Sequence, residues 1–197
     1  MLQSLLVSKV RAKLLQIFLV SPGEMYHVRA LVRMAGEEIN AVRRELARME
    51  SYGMVKKEPR GNRLYYWFNK DFVFYADLLS MIAKSSGLGK EIIKNRNKLG
   101  KVKFAMLSGR YVRDIKDDGE NRVDLLVVGD IVLPELAKLV REEESKLERE
   151  INYTVMDKDE FVFRKKRRDP FILGILFGSR VMVIGDEEEM VQIKSNE

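Results

Sequence analysis

Apolar positions in the first fifty residues recur at helical spacing. Val10, Leu14, Ile17 and Phe18 share one face, which predicts a helix over 8–19 with Ser8 as N-cap and Ser21-Pro22-Gly23 as its end. A second short helix is predicted over 26–33, with Val28, Leu31 and Val32 inward and His27 as an ordinary helix residue. Met34-Ala35-Gly36 turns the chain into a third helix over 37–51. Its stripe of Ile39, Val42, Leu46 and Met49, spaced 3, 4 and 3, marks a buried face. The period then shortens: 54–58 and 63–68 read as two strands joined by the turn dipeptide Gly61-Asn62. A fourth helix is predicted over 71–86, with Phe72, Phe74, Leu78, Leu79 and Ile82 apolar.

Ser85-Ser86-Gly87-Leu88-Gly89 reads as a hinge, dividing the chain into domains at 1–86 and 90–197. The second part alternates. Strands are predicted at 102–107, 123–128, 151–156 and 181–184, and helices at 91–98, 133–149, 157–167 and 170–177, with a last turn of helix near Asp186. Gly129-Asp130 and Gly185-Asp186 read as turns. The fold class expected is α+β, with a mixed sheet in the second domain.

Composition narrows the chemistry. The 197 residues include no cysteine and one histidine, which excludes disulfides, thiolate nucleophiles and zinc fingers and disfavours a Ser–His–Asp triad. The expectation is no metal, no cofactor and no catalytic residue. No apolar run reaches the roughly 18 residues of a membrane span, and the N-terminus is too charged for a signal peptide, so a cytoplasmic protein with no membrane partner is expected. Charge is unevenly spread. Residues 1–100 carry 18 Lys and Arg against 9 Asp and Glu, whereas residues 101–197 carry 18 against 21. A basic first half suits a polyanion.

The side chains sharpen that reading. On the third helix Asn40, Arg44 and Arg48 stand at i, i+4 and i+8, with Arg43 and Ala47 beside them. Such a helix fits the major groove, where Arg reads guanine and Asn reads adenine. The hairpin adds Lys56, Lys57, Arg60 and Arg63, opposed only by Glu58, which suits phosphate contacts. Helix, turn, helix, basic hairpin is the order of a winged helix. Double-stranded DNA is the expected partner, bound by a homodimer presenting two such helices. Glu45 and Glu50, placed on the same outward face, keep a protein-interaction module open as another reading. Tyr65, Tyr66 and Trp67 are expected in packing rather than base stacking.

The segments LSGRY, RVDLLVVGD, EREINYTVMD and DPFILGILFGSRVMVIGDEEE resemble the minimal nucleotidyltransferase-like domain. The whole chain resembles prokaryotic transcriptional regulators that fuse an ArsR-like winged helix to that domain. The resemblance implies a Gly-Ser turn and three metal-binding carboxylates, and this sequence departs at each. Ser108-Gly109 reverses the turn, Arg122-Val123-Asp124 replaces Asp-x-Asp, and Asn152 stands where the third acid is expected. One acid cannot hold two divalent cations, so a pseudoenzyme is expected. Ser108, Gly109, Arg110, Arg122 and Asp124 would line a vestigial nucleotide pocket, with Arg113 nearby. Asp124 is otherwise a structural acid paired with an arginine or capping a loop. The second domain would then serve in assembly or in sensing an unidentified small-molecule or protein effector. The alternative is an active nucleotidyltransferase that modifies a protein, RNA or small molecule recruited by the winged helix. A run of five cations, Arg164 to Arg168, and the acidic triplet Glu142-Glu143-Glu144 complete the charged features.

Overall fold

The computed structural model describes residues 8–115 and 122–192, an α+β chain with ten helices among them. It divides into two compact units, Met1–Ser85 and Ser86–Glu197.

The first unit opens with α1 (Lys9–Val20), whose N-cap Ser8 accepts from the Arg11 amide at 3.1 Å. The buried face is Ala12, Leu14, Leu15, Phe18 and Leu19, rotated from the expected stripe; Val10 and Ile17 are only half-buried. The predicted second helix starts two residues late. Tyr26–His27 is a short strand, β1, and α2 (Val28–Ala35) begins after it. The reason is His27, which caps rather than continues the helix: its Nδ1 accepts from the Ala30 amide at 3.2 Å. The third helix, α3 (Ile39–Ser51), likewise begins after Glu38, whose carboxylate accepts from the amides of Asn40 and Ala41 at 2.8 and 2.9 Å. Those two bonds hold the Glu38 carboxyl below the usual carboxylate range.

Strands β2 (Val55–Arg60) and β3 (Arg63–Phe68) form the hairpin, with Arg60 opposite Arg63 at its tip. The sheet order is β1-β3-β2, all antiparallel. The fourth helix is shorter than expected, α4 (Tyr75–Ser85). Residues 71–74 are taken up by turns in which the Phe72 and Tyr75 amides donate to Asn69 and Phe72 carbonyls, leaving Val73 and Phe74 exposed. Leu31, Val42, Leu46, Met49, Phe68, Leu79 and Ile82 are all buried in this unit with the α1 face.

In the second unit the expected hinge is structured. Gly87–Lys94 is a helix, α5, in which Leu88, Gly89 and Ile92 are buried. Strand β4 (Gly100–Ser108) leads to the short α6 (Gly109–Val112). Then follow β5 (Leu125–Ile131), α7 (Leu133–Leu147) and β6 (Tyr153–Met156). The chain ends through α8 (Lys158–Lys166), α9 (Pro170–Phe177), β7 (Arg180–Ile184) and α10 (Glu187–Val191). The sheet order is β6-β5-β4-β7. The β5–β6 pair is parallel and the other pairs antiparallel, so the sheet is mixed. Alternation along the strands puts Phe104, Met106, Leu126 and Val128 in one cluster with Phe161, Ile172, Leu176 and Met190. Their neighbours Ala105, Leu107, Leu125 and Val127 are also buried, so the sheet is covered on both faces. Gly129-Asp130 is not a turn but part of β5. Gly129 has φ 147° opposite a register shift between Val102 and Phe104, and a Cβ there would collide with the Lys101 carbonyl oxygen. No helix among the described residues is long and apolar enough to cross a membrane.

Candidate functional site

The outward face of α3 is built by the burial of its opposite face. Val42, Leu46 and Met49 anchor the helix, which leaves Asn40, Arg43, Arg44, Ala47 and Arg48 exposed. Glu45 is the departure from the sequence expectation. It is 4% exposed and faces α1, where its carboxylate takes the Arg11 guanidinium at 2.5 Å and the Ser8 hydroxyl at 2.9 Å. The solvent face of α3 is therefore more basic than the sequence implied.

Ion pairing separates the eight predicted contact residues into two sets. Arg48 lies 3.7 Å from Glu45, Lys56 2.9 Å from Asp71, Lys57 2.8 Å from Glu50, and Arg60 3.3 Å from Glu58. The Glu50 partner raises the Lys57 ammonium above the usual lysine range. Asn40, Arg43, Arg44 and Arg63 make no such pair among the described residues; the charges of Arg43 and Arg44 help to lower the Glu38 carboxyl.

The structure brings Arg43 and Arg63 to one cleft of about 520 Å³ and adds residues that sequence reasoning missed. Its lining includes His27 and Arg29 from β1 and the first turn of α2, Asn62 from the hairpin turn, and Tyr66 from β3. No carboxylate lines it, and Arg29 also makes no ion pair among the described residues. Because His27 Nδ1 accepts from Ala30, the neutral ring carries its proton on Nε2, a donor. Burial lifts the Tyr66 phenol above its ordinary range, with the Lys57 and Arg43 charges working against the rise, so it is a neutral donor at pH 7. Arg29 was hidden because its spacing marks it only as a solvated helix position; the pairing of Tyr26 and His27 with β3 brings it to the hairpin. Tyr65 packs edge-to-face on His27, ring centres 5.8 Å apart, with Arg60 over its other neighbourhood at 5.8 Å.

In the second unit the residues predicted to line a nucleotide pocket are engaged with one another. Ser108 caps α6, its Oγ accepting from the Tyr111 amide at 3.2 Å. Gly109 is buried against Ser179, whose carbonyl accepts its amide at 2.6 Å, and a Cβ at Gly109 would collide with the Ser179 hydroxyl. Arg113 donates to that hydroxyl at 2.8 Å. Asp124 is 3% exposed; its Oδ2 takes Arg122 Nη2 at 3.0 Å and the Asn152 amide at 3.0 Å. Arg122 also donates to the Glu150 carbonyl at 3.0 Å, and with the Asn152 amide turned so that its oxygen faces the guanidinium, that oxygen accepts from Nη2 and Nε at 3.2 and 3.3 Å. A guanidinium thus fills the space between Asp124 and Asn152. Arg110 is exposed at the start of α6. No group of three His, Asp or Glu side chains among the described residues is placed to hold a metal ion.

The basic run 164–168 is not a single patch. Lys165 is buried, lowered in pKa by desolvation, and donates to the Met190 and Gln192 carbonyls at 2.8 Å each. Arg164 pairs with Glu160 at 2.7 Å, and Arg167 lies over the Phe163 ring at 5.0 Å. The acidic triplet is split in the same way. Glu143 is buried beside Lys146, and Glu144 accepts from the Ile151 amide at 2.8 Å. Compared with protein-family models, curated proteins and solved structures, the chain matches none.

Proposed function

We propose that the first unit is a winged helix that binds double-stranded DNA, and that the protein is a sequence-specific transcriptional regulator acting as a homodimer. The observation that carries this reading is the exposed set Asn40, Arg43 and Arg44 on α3, joined by Arg63 of the hairpin, with no ion pair among the described residues. Solvated guanidiniums gathered on one face, without ion-paired acids, make a positive potential that attracts a polyanion. In this reading α3 enters the major groove, with Asn40 and Arg44 reaching base edges. Arg63 and Arg43 meet phosphate, and Lys56, Lys57, Arg60 and Arg48 contribute only after exchanging their present carboxylate partners.

The order β6-β5-β4-β7, with β5 and β6 parallel through α7, supports a nucleotidyltransferase-like reading of the second unit. Its chemistry would be lost, since Asp124 is committed to Arg122 and to the Asn152 amide. Assembly or effector sensing is its proposed role.

The test is fluorescence anisotropy of the full-length protein on its own upstream DNA and on a scrambled duplex. The double substitution Arg43→Glu with Arg44→Glu should weaken binding by at least about 30-fold, at about 1–3 kcal/mol per arginine. Undiminished binding would remove α3 from the interface.

A further inference from the structure

We propose that the cleft between α2, α3 and the hairpin is a binding site for a small phosphomonoester of mononucleotide size. Three arginines, Arg29, Arg43 and Arg63, line it from three separate elements, and no acidic residue does. They make no ion pair among the described residues, while four neighbouring cations of the same unit all do. Surface arginines usually find an acid or spread apart; here three converge on one concavity.

Charge and size argue for the class of ligand. A backbone diester brings one negative charge, whereas a terminal phosphomonoester brings about −1.5 to −2 near neutral pH, closer to what three guanidiniums balance. Small-molecule sites occupy about 300–1,000 Å³, and this cleft measures about 520 Å³. Asn62 and the Nε2 proton of His27 add neutral donors for ester or hydroxyl oxygens, and the Tyr66 hydroxyl stays protonated. Val28 and Leu64 supply the apolar wall against which an organic group rests. Since Arg43 belongs also to the face of α3 proposed to meet DNA, an occupied cleft removes one cation from that face. Ligand and duplex therefore compete, a consequence that rests on the DNA-binding reading; the cleft itself does not.

The experiment is isothermal titration of the full-length protein with adenosine 5′-monophosphate, with adenosine and with inorganic phosphate, beside duplex anisotropy on the same preparation. Saturable 1:1 binding of the monophosphate is expected, weaker binding of phosphate and none of adenosine. Arg29→Ala and Arg63→Ala, both at exposed positions, should each cost at least tenfold, and Lys70→Ala, exposed in the same unit and outside the cleft, should cost less than twofold. Circular dichroism confirms that each variant is folded. No saturable binding of the monophosphate, or binding unchanged in both variants, overturns the proposal. Sensitivity of duplex binding alone to Arg29→Ala would likewise overturn it, making the cleft a seat for a backbone phosphate. Monophosphate binding without duplex binding supports the cleft while removing the DNA reading.

Discussion

Glu45 shows how a single residue changes the account. In sequence it stands among outward residues of α3; in the structure it is buried against α1 with Arg11 and Ser8 on its oxygens. The residue was misread because a helix has intermediate positions between its faces, and only the partner helix decides whether one is covered. Glu45→Ala leaves the Arg11 guanidinium half-buried and unpaired. It should cost about 3 kcal/mol of unfolding free energy in urea, at the low end of the range for breaking a buried pair. Asp124 is the corresponding acid of the second unit, and the sequence did allow it a structural role. Asp124→Ala frees both Arg122 and the Asn152 amide and should cost about 2–4 kcal/mol, by the same denaturation measurement, with no nucleotide transfer in either form. Glu38 supplies a pH signature. Its carboxyl is held below the ordinary glutamate range by the Asn40 and Ala41 amides, so its ionised form favours the folded state. That contribution is complete above the unfolded pKa and is lost as pH falls through the lower folded pKa. A wild type more stable than Glu38→Gln at pH 7, with the difference closing in thermal melts as pH falls below the ordinary glutamate range, is the expected outcome.

Elements were legible where periodicity was long and caps were strong. The α3 stripe, the hairpin with its Gly61-Asn62 turn, and α9 stand within two residues of their expected bounds. Two of the misses share one cause, side-chain hydrogen bonds to the backbone that apolar spacing does not encode. His27 stops β1 from joining α2, and Asn69 organises the turns that delay α4 by accepting the Asp71 amide and donating to the Gly53 carbonyl. The two units divide at Ser85 and Ser86, within the segment expected to join them, but Gly87-Leu88-Gly89 is not an open linker despite its composition: Leu88 and Gly89 are buried in α5. Gly129 was taken for a turn residue because glycine next to aspartate commonly is one. Its place in β5, with the Lys101 carbonyl oxygen where a Cβ would stand, makes Gly129→Ala a disruption of the β4–β5 ladder. The expected loss is at least about 2 kcal/mol, with amide exchange quickening first in residues 101–104.

At the scale of the whole molecule, the charge split of the sequence located the basic half but not its focus. Sequence reasoning spread the interface over Asn40, Arg43, Arg44 and Arg48 of the helix and Lys56, Lys57, Arg60 and Arg63 of the hairpin, of which Arg48, Lys56, Lys57 and Arg60 turn out to have acidic neighbours. The structure pairs those four with acids and leaves Asn40, Arg43, Arg44 and Arg63 without an ion pair among the described residues. Long-range geometry decides this, since Asp71 reaches Lys56 and Glu50 reaches Lys57 only once the hairpin has folded beside α3. The central claim is that this unpaired set meets duplex DNA. The most direct test is the salt dependence of anisotropy on the protein's upstream duplex, wild type beside Arg43→Glu with Arg44→Glu. The account predicts a logarithmic salt slope of several phosphates, at about 0.9 per phosphate, preference over a scrambled duplex, and a slope lower by about two in the variant. Equal, weak binding to both duplexes with a flat salt profile, unaltered by the substitutions, would contradict it.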